Sequence, residues 1–272
     1  MWTYEIAIIL LTNLGFLLVL SALLWIFCTA LSNASIIDRF WGPLCAASGA
    51  FTLIQMNVFS AHAIALVALS GIWAIRLAWY ITLKNWNAGQ DARYDDETSP
   101  GITRARGPFG TLIFVFFGQA ILAWLISAPI QLGQFYTDVA GPGLSTLAYI
   151  GVGVWIVGFL FEAVGDWQLR RFKLIPDNKG KIMDQGLWAW TRHPNYFGDS
   201  VVWFGLLLIA LENPLGIYSI FGPLLMLYFL TKQTGRDFTK RIMLAKYPTA
   251  YSEYIERTSG FFPLPPSRQK DH

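Results

Sequence analysis

Apolar residues in this chain fall in long blocks rather than in alternation, and the blocks have the length scale of a lipid bilayer. A hydrocarbon core of about 30 Å takes roughly 20 residues of helix to cross. Residues 5–31 meet that length, interrupted only by single polar residues such as Asn13. Runs at 44–60 and 61–83 follow, joined by a tight polar link around Asn57 and His62. A polar, turn-rich stretch over 84–108 precedes apolar runs at 109–130 and 145–165, themselves separated by 131–144 with its Gly-Pro-Gly turn. Residues 166–199 are basic and mixed. Two shorter apolar runs, 200–211 and 215–231, flank Asn213-Pro214, and 232–272 form a charged tail. The pattern predicts an all-α fold: a multi-pass transmembrane helical bundle of about seven spans, read as one membrane domain over 1–272. The first run has no Lys or Arg ahead of it and is too long for a signal peptide, so it is expected to be a retained span.

Charge sharpens this picture. Lys and Arg accumulate in cytoplasmic loops. Of the 20 basic residues, 19 follow the first, third, fifth or seventh run, and Arg76 lies inside the third. This predicts the N-terminus outside, the C-terminus cytoplasmic and an odd number of spans. A bacterial inner membrane, or an endoplasmic reticulum membrane in a eukaryote, would obey the same rule. With 54% hydrophobic and 14% charged residues, against about 25% charged in soluble domains, a water-soluble globule is excluded. A net charge of +3 is too small to point to nucleic acid. Cys28 and Cys45 sit in apolar stretches and offer neither metal spacing nor a disulfide framework, so they are expected to pack.

The densest chemistry lies just before the sixth run: Gly186-Leu187-Trp188, then Arg192-His193-Pro194-Asn195-Tyr196-Phe197-Gly198-Asp199. It sets a cation, an imidazole, an amide and a carboxylate at a cytoplasmic membrane edge. Arg192 has the fork that grips phosphate or carboxylate, and Asn195 and Asp199 suit a base or ribose. The alternative is an interfacial loop with an Arg anchor and a belt of Trp188, Trp190 and Tyr196. Upstream, Glu162, Asp166 and Arg170 step by four, which puts them on one helix face; plain ion pairing at that spacing contributes only about 0.2–0.5 kcal/mol. Lys232, Arg236 and Lys240 are a further basic row, either a phosphate-binding face or membrane anchoring.

The block from Gly186 to Asp199 resembles the signature of bacterial steroid 5-alpha-reductase-like membrane proteins. The tail is similar to theirs too, in Tyr247-Pro248-Thr249-Ala250-Tyr251, Tyr254 and Thr258-Ser259-Gly260-Phe261-Phe262-Pro263, as is Trp86-Asn87-Ala88-Gly89-Gln90-Asp91-Ala92-Arg93-Tyr94. The likeness runs through most of the chain from Asp38, with a steroid-reductase-like C-terminal half over 109–266, and its specific parts are the Arg192-His193-Pro194 block and the tail. The wider superfamily holds sterol reductases, which use NADPH, and isoprenylcysteine and phospholipid methyltransferases, which use S-adenosylmethionine. The resemblance implies NADPH-dependent reduction of a carbon–carbon double bond in an apolar enone, steroid-like or other lipid. Cofactor-binding residues implied or favoured are Asp166, Arg170, Lys173, Lys181, Arg192, His193, Asn195, Asp199, Lys232 and Arg236. Asp166 matches the family's acidic cofactor contact, while Glu162 stands where the family has an amide and Lys173 where it has an arginine.

The family's carboxylic acid at the start of the second span, which donates to the substrate carbonyl, is matched by Asp38. Protonated Asp38, helped by Tyr80, is the expected catalytic donor, since an apolar site favours a neutral acid. The alternative for Asp38 is a helix N-cap paired with Arg39. Arg76 aligns with the family's third-span arginine, but Trp73 stands where its partner tyrosine would be. Two other classes stay open: a lipid methyltransferase using S-adenosylmethionine, and a non-catalytic lipid binder. No metal is expected.

Overall fold

The computed structural model describes residues 3–57, 59–86, 107–135, 143–233 and 235–266. Their regular structure is entirely helical apart from one isolated parallel bridge between Thr191 and Ser259. The 87–94 stretch of the sequence resemblance, the Gly141-Pro142 part of the predicted turn, and Arg93, Arg104, Arg106, Arg268 and Lys270 of the charge argument lie outside the described residues.

Each predicted apolar run contains a helix. These are α1 Thr3–Ala30, α2 Ile37–Met56, α3 Ala61–Lys84, α4 Gly107–Ile126 with the short α5 Ala128–Leu132, α6 Thr146–Leu174, α8 Pro194–Ala210 and α9 Phe221–Tyr228. The basic and mixed segments add α7 Leu187–Trp190, α10 Arg236–Lys246 and α11 Pro248–Arg257. Five segments among the described residues are long and apolar enough to cross a membrane: Tyr4–Ala30, Ala61–Lys84, Gly107–Ile126, Thr146–Leu174 and Pro214–Lys246. That fits an integral membrane protein. The other two predicted spans are not among the five. α8, with 17 residues, is about 26 Å long, short of a bilayer core, and α2 is less apolar, with Asp38, Arg39, Gly42, Pro43, Ser48, Thr52 and Gln55 among its 20 residues.

The chain divides into two compact units, Met1–Tyr149 with Leu206–Gly222, and Ile150–Gly205 with Pro223–His272. In the first, α2 and α3 pack antiparallel after the tight turn at Asn57, which takes a left-handed φ of 50°. Gly42 makes room for this: a Cβ there would sit 3.2 Å from the Ala74 Cα. Trp73 is fully buried against Trp41, edge to face at 6.1 Å. Polar groups buried among the apolar helices satisfy one another. The Asn13 amide donates to the Ser48 carbonyl and to Thr52 Oγ1 at 2.7 and 2.8 Å, and Gln131 Nε2 donates to Ser127 Oγ at 2.9 Å. At the start of α6, Ser145 Oγ and the Ala148 amide both donate to Glu212, whose other oxygen lies 3.3 Å from His62 Nε2.

The second helix begins seven residues earlier than its apolar run. Asn33 explains why: its side-chain oxygen accepts from the Ser35 amide at 3.1 Å, capping a 3-10 turn over Ala34–Ile36 that winds directly into α2. Asp38 is therefore already helical, in the first turn of α2, and is not the helix cap. Arg39 reaches the Asn85 carbonyl at the far end of α3.

Candidate functional site

In the second unit, α6 and α8 meet backbone to backbone. Glycines recur every seven residues on both, Gly151, Gly158 and Gly165 on α6 and Gly198 and Gly205 on α8. Heptad spacing holds one face of each helix toward the other, and small residues let apolar helices approach closely. A Cβ on Gly158 would lie 2.6 Å from the Val202 amide nitrogen, and one on Gly205 2.6 Å from that of Trp155. This contact buries Glu162, Asp166 and Asp199 and sets their carboxylates at the head of the seam.

There Asn195 Nδ2 donates to Asp166 Oδ1 at 3.0 Å, joining the two helices through two of the predicted residues. Glu162 and Asp166 share the predicted face, but Arg170, one turn on, is exposed, because the packed part of the face ends before it. Lys173 and Lys181 are also exposed, in the last turn of α6 and the hairpin beyond.

The stretch between α7 and α8 is held down by the tail. The Arg192 amide donates to the Ser259 carbonyl at 2.9 Å, Thr191 Oγ1 to the Phe261 carbonyl at 2.8 Å, and the Leu264 amide to the Trp190 carbonyl at 3.0 Å. Below them Trp188 Nε1 donates to the Gly165 carbonyl, and the Tyr254 hydroxyl to the Trp188 carbonyl. Burial raises the pKa of both Tyr254 and Tyr251, so each phenol keeps its proton at neutral pH.

Arg192 and Arg236 come together over Gly260. Arg192 Nη2 lies 2.9 Å from where a Gly260 Cβ would be, and Arg236 Cδ 3.8 Å from it. Burial lowers the Arg192 pKa; Tyr251 and Tyr254 oppose the shift and Arg236 adds to it. Lys232 and Arg236 do not sit on one continuous helix: Lys232 lies in a π-wound segment, Phe229–Gln233, after α9, and Arg236 opens α10. Asp237 draws them together instead, 3.0 Å from Arg236 Nε and 3.8 Å from Lys232 Nζ. The buried atoms here with no hydrogen-bond partner among the described residues include Arg192 Nε and Asn195 Oδ1, together with one carboxylate oxygen each of Glu162 and Asp199. Arg192 Nε is a charged donor and Asn195 Oδ1 an acceptor. They fit a ligand carrying an anionic group together with a polar donor, as a nucleotide does.

His193 is buried and stacks on Tyr196 at 5.0 Å. Burial first, then the charges of Arg192 and Arg236, push its pKa down to about 3, against a small opposing effect of Asp237. It is neutral at pH 7, so positive charge at the site comes from the arginines. Below pH 6.5 the unfolded chain takes up a proton that the folded one refuses, and stability falls with pH. From pH 7 to pH 5 the expected loss is about 2 kcal/mol. A His193→Gln variant is expected to show a flatter thermal unfolding profile over that range; an unchanged slope would remove His193 as its source.

Asp38 and Tyr80 belong to the first unit. Asp38 is half-buried, and Arg76 lies over the Tyr80 ring at 5.5 Å. Because Gly42 packs on Ala74 in an antiparallel pair, residues four before Gly42 and four beyond Ala74 share a level, which brings Asp38 close to the level of Tyr80. Sequence reasoning missed the glycine seam and the role of Gly260. The signal for the seam was present in the seven-residue glycine spacing.

The profile of the family described as "Protein of unknown function (DUF1295)" matches residues 24–258. The uncharacterized protein C594.04c of Schizosaccharomyces pombe is 23% identical over 270 residues, covering 90% of this chain and 77% of that protein. No solved structure matches.

Proposed function

The chain belongs to the DUF1295 family, and from that premise we propose that it is an NADPH-dependent membrane reductase of a carbon–carbon double bond in an apolar enone or related lipid. The reading takes the seven helical runs as seven spans, with the C-terminus cytoplasmic. The observation that carries it is the Arg192–Arg236 pair over Gly260. Two arginines drawn together beside the half-exposed Asp237 suit the several phosphates of a dinucleotide. The likeness to steroid 5-alpha-reductase-like proteins in the Arg192–Asp199 block supports the same cofactor.

Arg192 and Arg236 would hold phosphate, and the free Asn195 oxygen would accept from a base or ribose while its amide stays on Asp166. Asp199 and the exposed Lys232 would complete the polar shell. Bound NADPH would supply a hydride. Reduction of an enone puts negative charge on the substrate oxygen, and a positioned donor stabilises it; the proposed donor is Asp38, assisted by Tyr80. The helical surfaces would admit the lipid from the bilayer. A methyltransferase reading is less well supported. It calls for a carboxylate near the methyl donor late in the chain, and Glu253 and Glu256 are both exposed on α11.

Thermal protection of the detergent-purified protein tests the proposal. NADPH is expected to raise the unfolding temperature saturably and S-adenosylmethionine to leave it unchanged; the reverse result would assign the methyltransferase branch. In the same preparations Asp38→Asn is expected to keep NADPH protection while losing turnover. Full turnover in that variant would remove Asp38 as the donor.

A further inference from the structure

The exposed face of α6 leads to a second pocket. Ile150, Val157, Leu160, Val164 and Trp167 are exposed at alternating three-, four- and seven-residue intervals, which places them in one stripe along the helix. On a helix long and apolar enough to cross a membrane, such a stripe faces acyl chains. One turn beyond Trp167, the same stripe ends in Arg171, whose guanidinium lies over the Trp167 ring at 5.5 Å. Among the described residues Arg171 has no ion-pair partner.

Trp167 and Arg171 form one wall of a pocket of about 310 Å³. The hairpin after α6 forms the rest, through Asn178, Gln185 and Gly186. Gly186 takes a φ of +61°, and a Cβ on it would overlap the Gln168 amide, whose oxygen accepts from the Leu187 amide at 3.1 Å. This turns the Gln168 nitrogen toward Gly186 as a donor in the pocket wall. Of the two acids in the hairpin, Asp184 is taken by Arg257 and Asp177 is exposed in a 3-10 turn; Lys179 and Lys181 are exposed on the same hairpin and do not line the pocket. The volume is at the lower end of small-molecule sites, about 300–1,000 Å³. It holds a polar headgroup and leaves any long chains outside, on the stripe.

We propose that this pocket seats the headgroup of an anionic phospholipid, with its phosphodiester on Arg171 and its acyl chains along the exposed stripe of α6. An aromatic side chain and a cation where an apolar helix leaves the membrane are the pairing that interfacial phosphate favours. Neither Arg192 nor Arg236 takes part, so the site is separate from the proposed cofactor site and does not depend on that assignment.

The test is thermal unfolding of the full chain in neutral detergent. Phosphatidylglycerol at about tenfold its Kd is expected to raise the unfolding temperature by about 3–6 °C. Phosphatidylcholine with the same acyl chains, and soluble glycerol phosphate at the same concentration, are expected to have no effect. Arg171→Gln should abolish the rise, and Gln185→Glu, which sets a negative charge in the exposed pocket wall, should abolish it without touching α6. Lys179→Gln should retain it. Equal stabilisation by phosphatidylcholine or by glycerol phosphate would overturn the proposal. So would an intact effect in Arg171→Gln or Gln185→Glu, or its loss in Lys179→Gln.

Discussion

Arg192→Ala is expected to weaken NADPH binding about a hundredfold, close to 3 kcal/mol, while the unliganded protein unfolds near its usual temperature. The two halves of this expectation have one physical source. Without a ligand, Arg192 sits beside Arg236, and burial and that neighbour both disfavour its charge. Truncating it removes a repulsion, and its Nε has no hydrogen bond among the described residues to lose. With a phosphate bound, the same proximity gives two charge-assisted contacts to one anion, and removing one costs 2–5 kcal/mol in comparable buried pairs. Asn195→Ala is a less clean probe. It strips the amide from buried Asp166 and so is expected to lower stability and binding together. Isothermal titration of detergent-purified variants with NADPH and NADH separates the cases. Loss toward both nucleotides places Arg192 on the diphosphate, and loss toward NADPH alone places it on the adenosine phosphate. Undiminished binding of both would break the link between the arginine pair and the cofactor.

The helices were legible because long apolar runs leave the chain no other way to satisfy its backbone in lipid. The start of α2 was not, because Asn33 and Ser35 set it by local capping in a polar stretch that hydropathy reads as a loop. At the site, Asp166, Arg192 and Asn195 stood out by residue type and spacing. Their juxtaposition did not: it depends on the tail returning to pair Ser259 and Phe261 with Arg192 and Thr191, some 70 residues away in sequence. The Lys232, Arg236 and Lys240 row was a fair inference from helical spacing. It ends where the helix breaks before Arg236, which frees Arg236 to turn over Gly260. The neutral state of His193 was beyond sequence reasoning, since it follows from burial beside two arginines that the chain brings together only on folding.

Gly198→Ala is expected to destabilise the protein by about 3 kcal/mol, lowering the unfolding temperature by roughly 6–12 °C, and to impair cofactor binding with it. A methyl group in a helix interior ordinarily helps, by about 1 kcal/mol relative to glycine. Here the added carbon would fall 2.4 Å from the Glu162 amide nitrogen and 2.5 Å from the Gly158 carbonyl oxygen. Both are backbone atoms within a helix, so neither can turn aside as a side chain would, and α6 and α8 must separate. Separation along that seam pulls Asn195 from Asp166, which is why binding is expected to fall with stability. Gly153→Ala supplies the control on α6, because a Cβ there meets nothing within 4 Å; it is expected to be neutral or mildly stabilising. Opposite signs for two identical substitutions, measured by thermal unfolding in one detergent, isolate the contact from helix propensity. If Gly198→Ala proves as stable as Gly153→Ala, the close approach of α6 and α8 does not hold the site together.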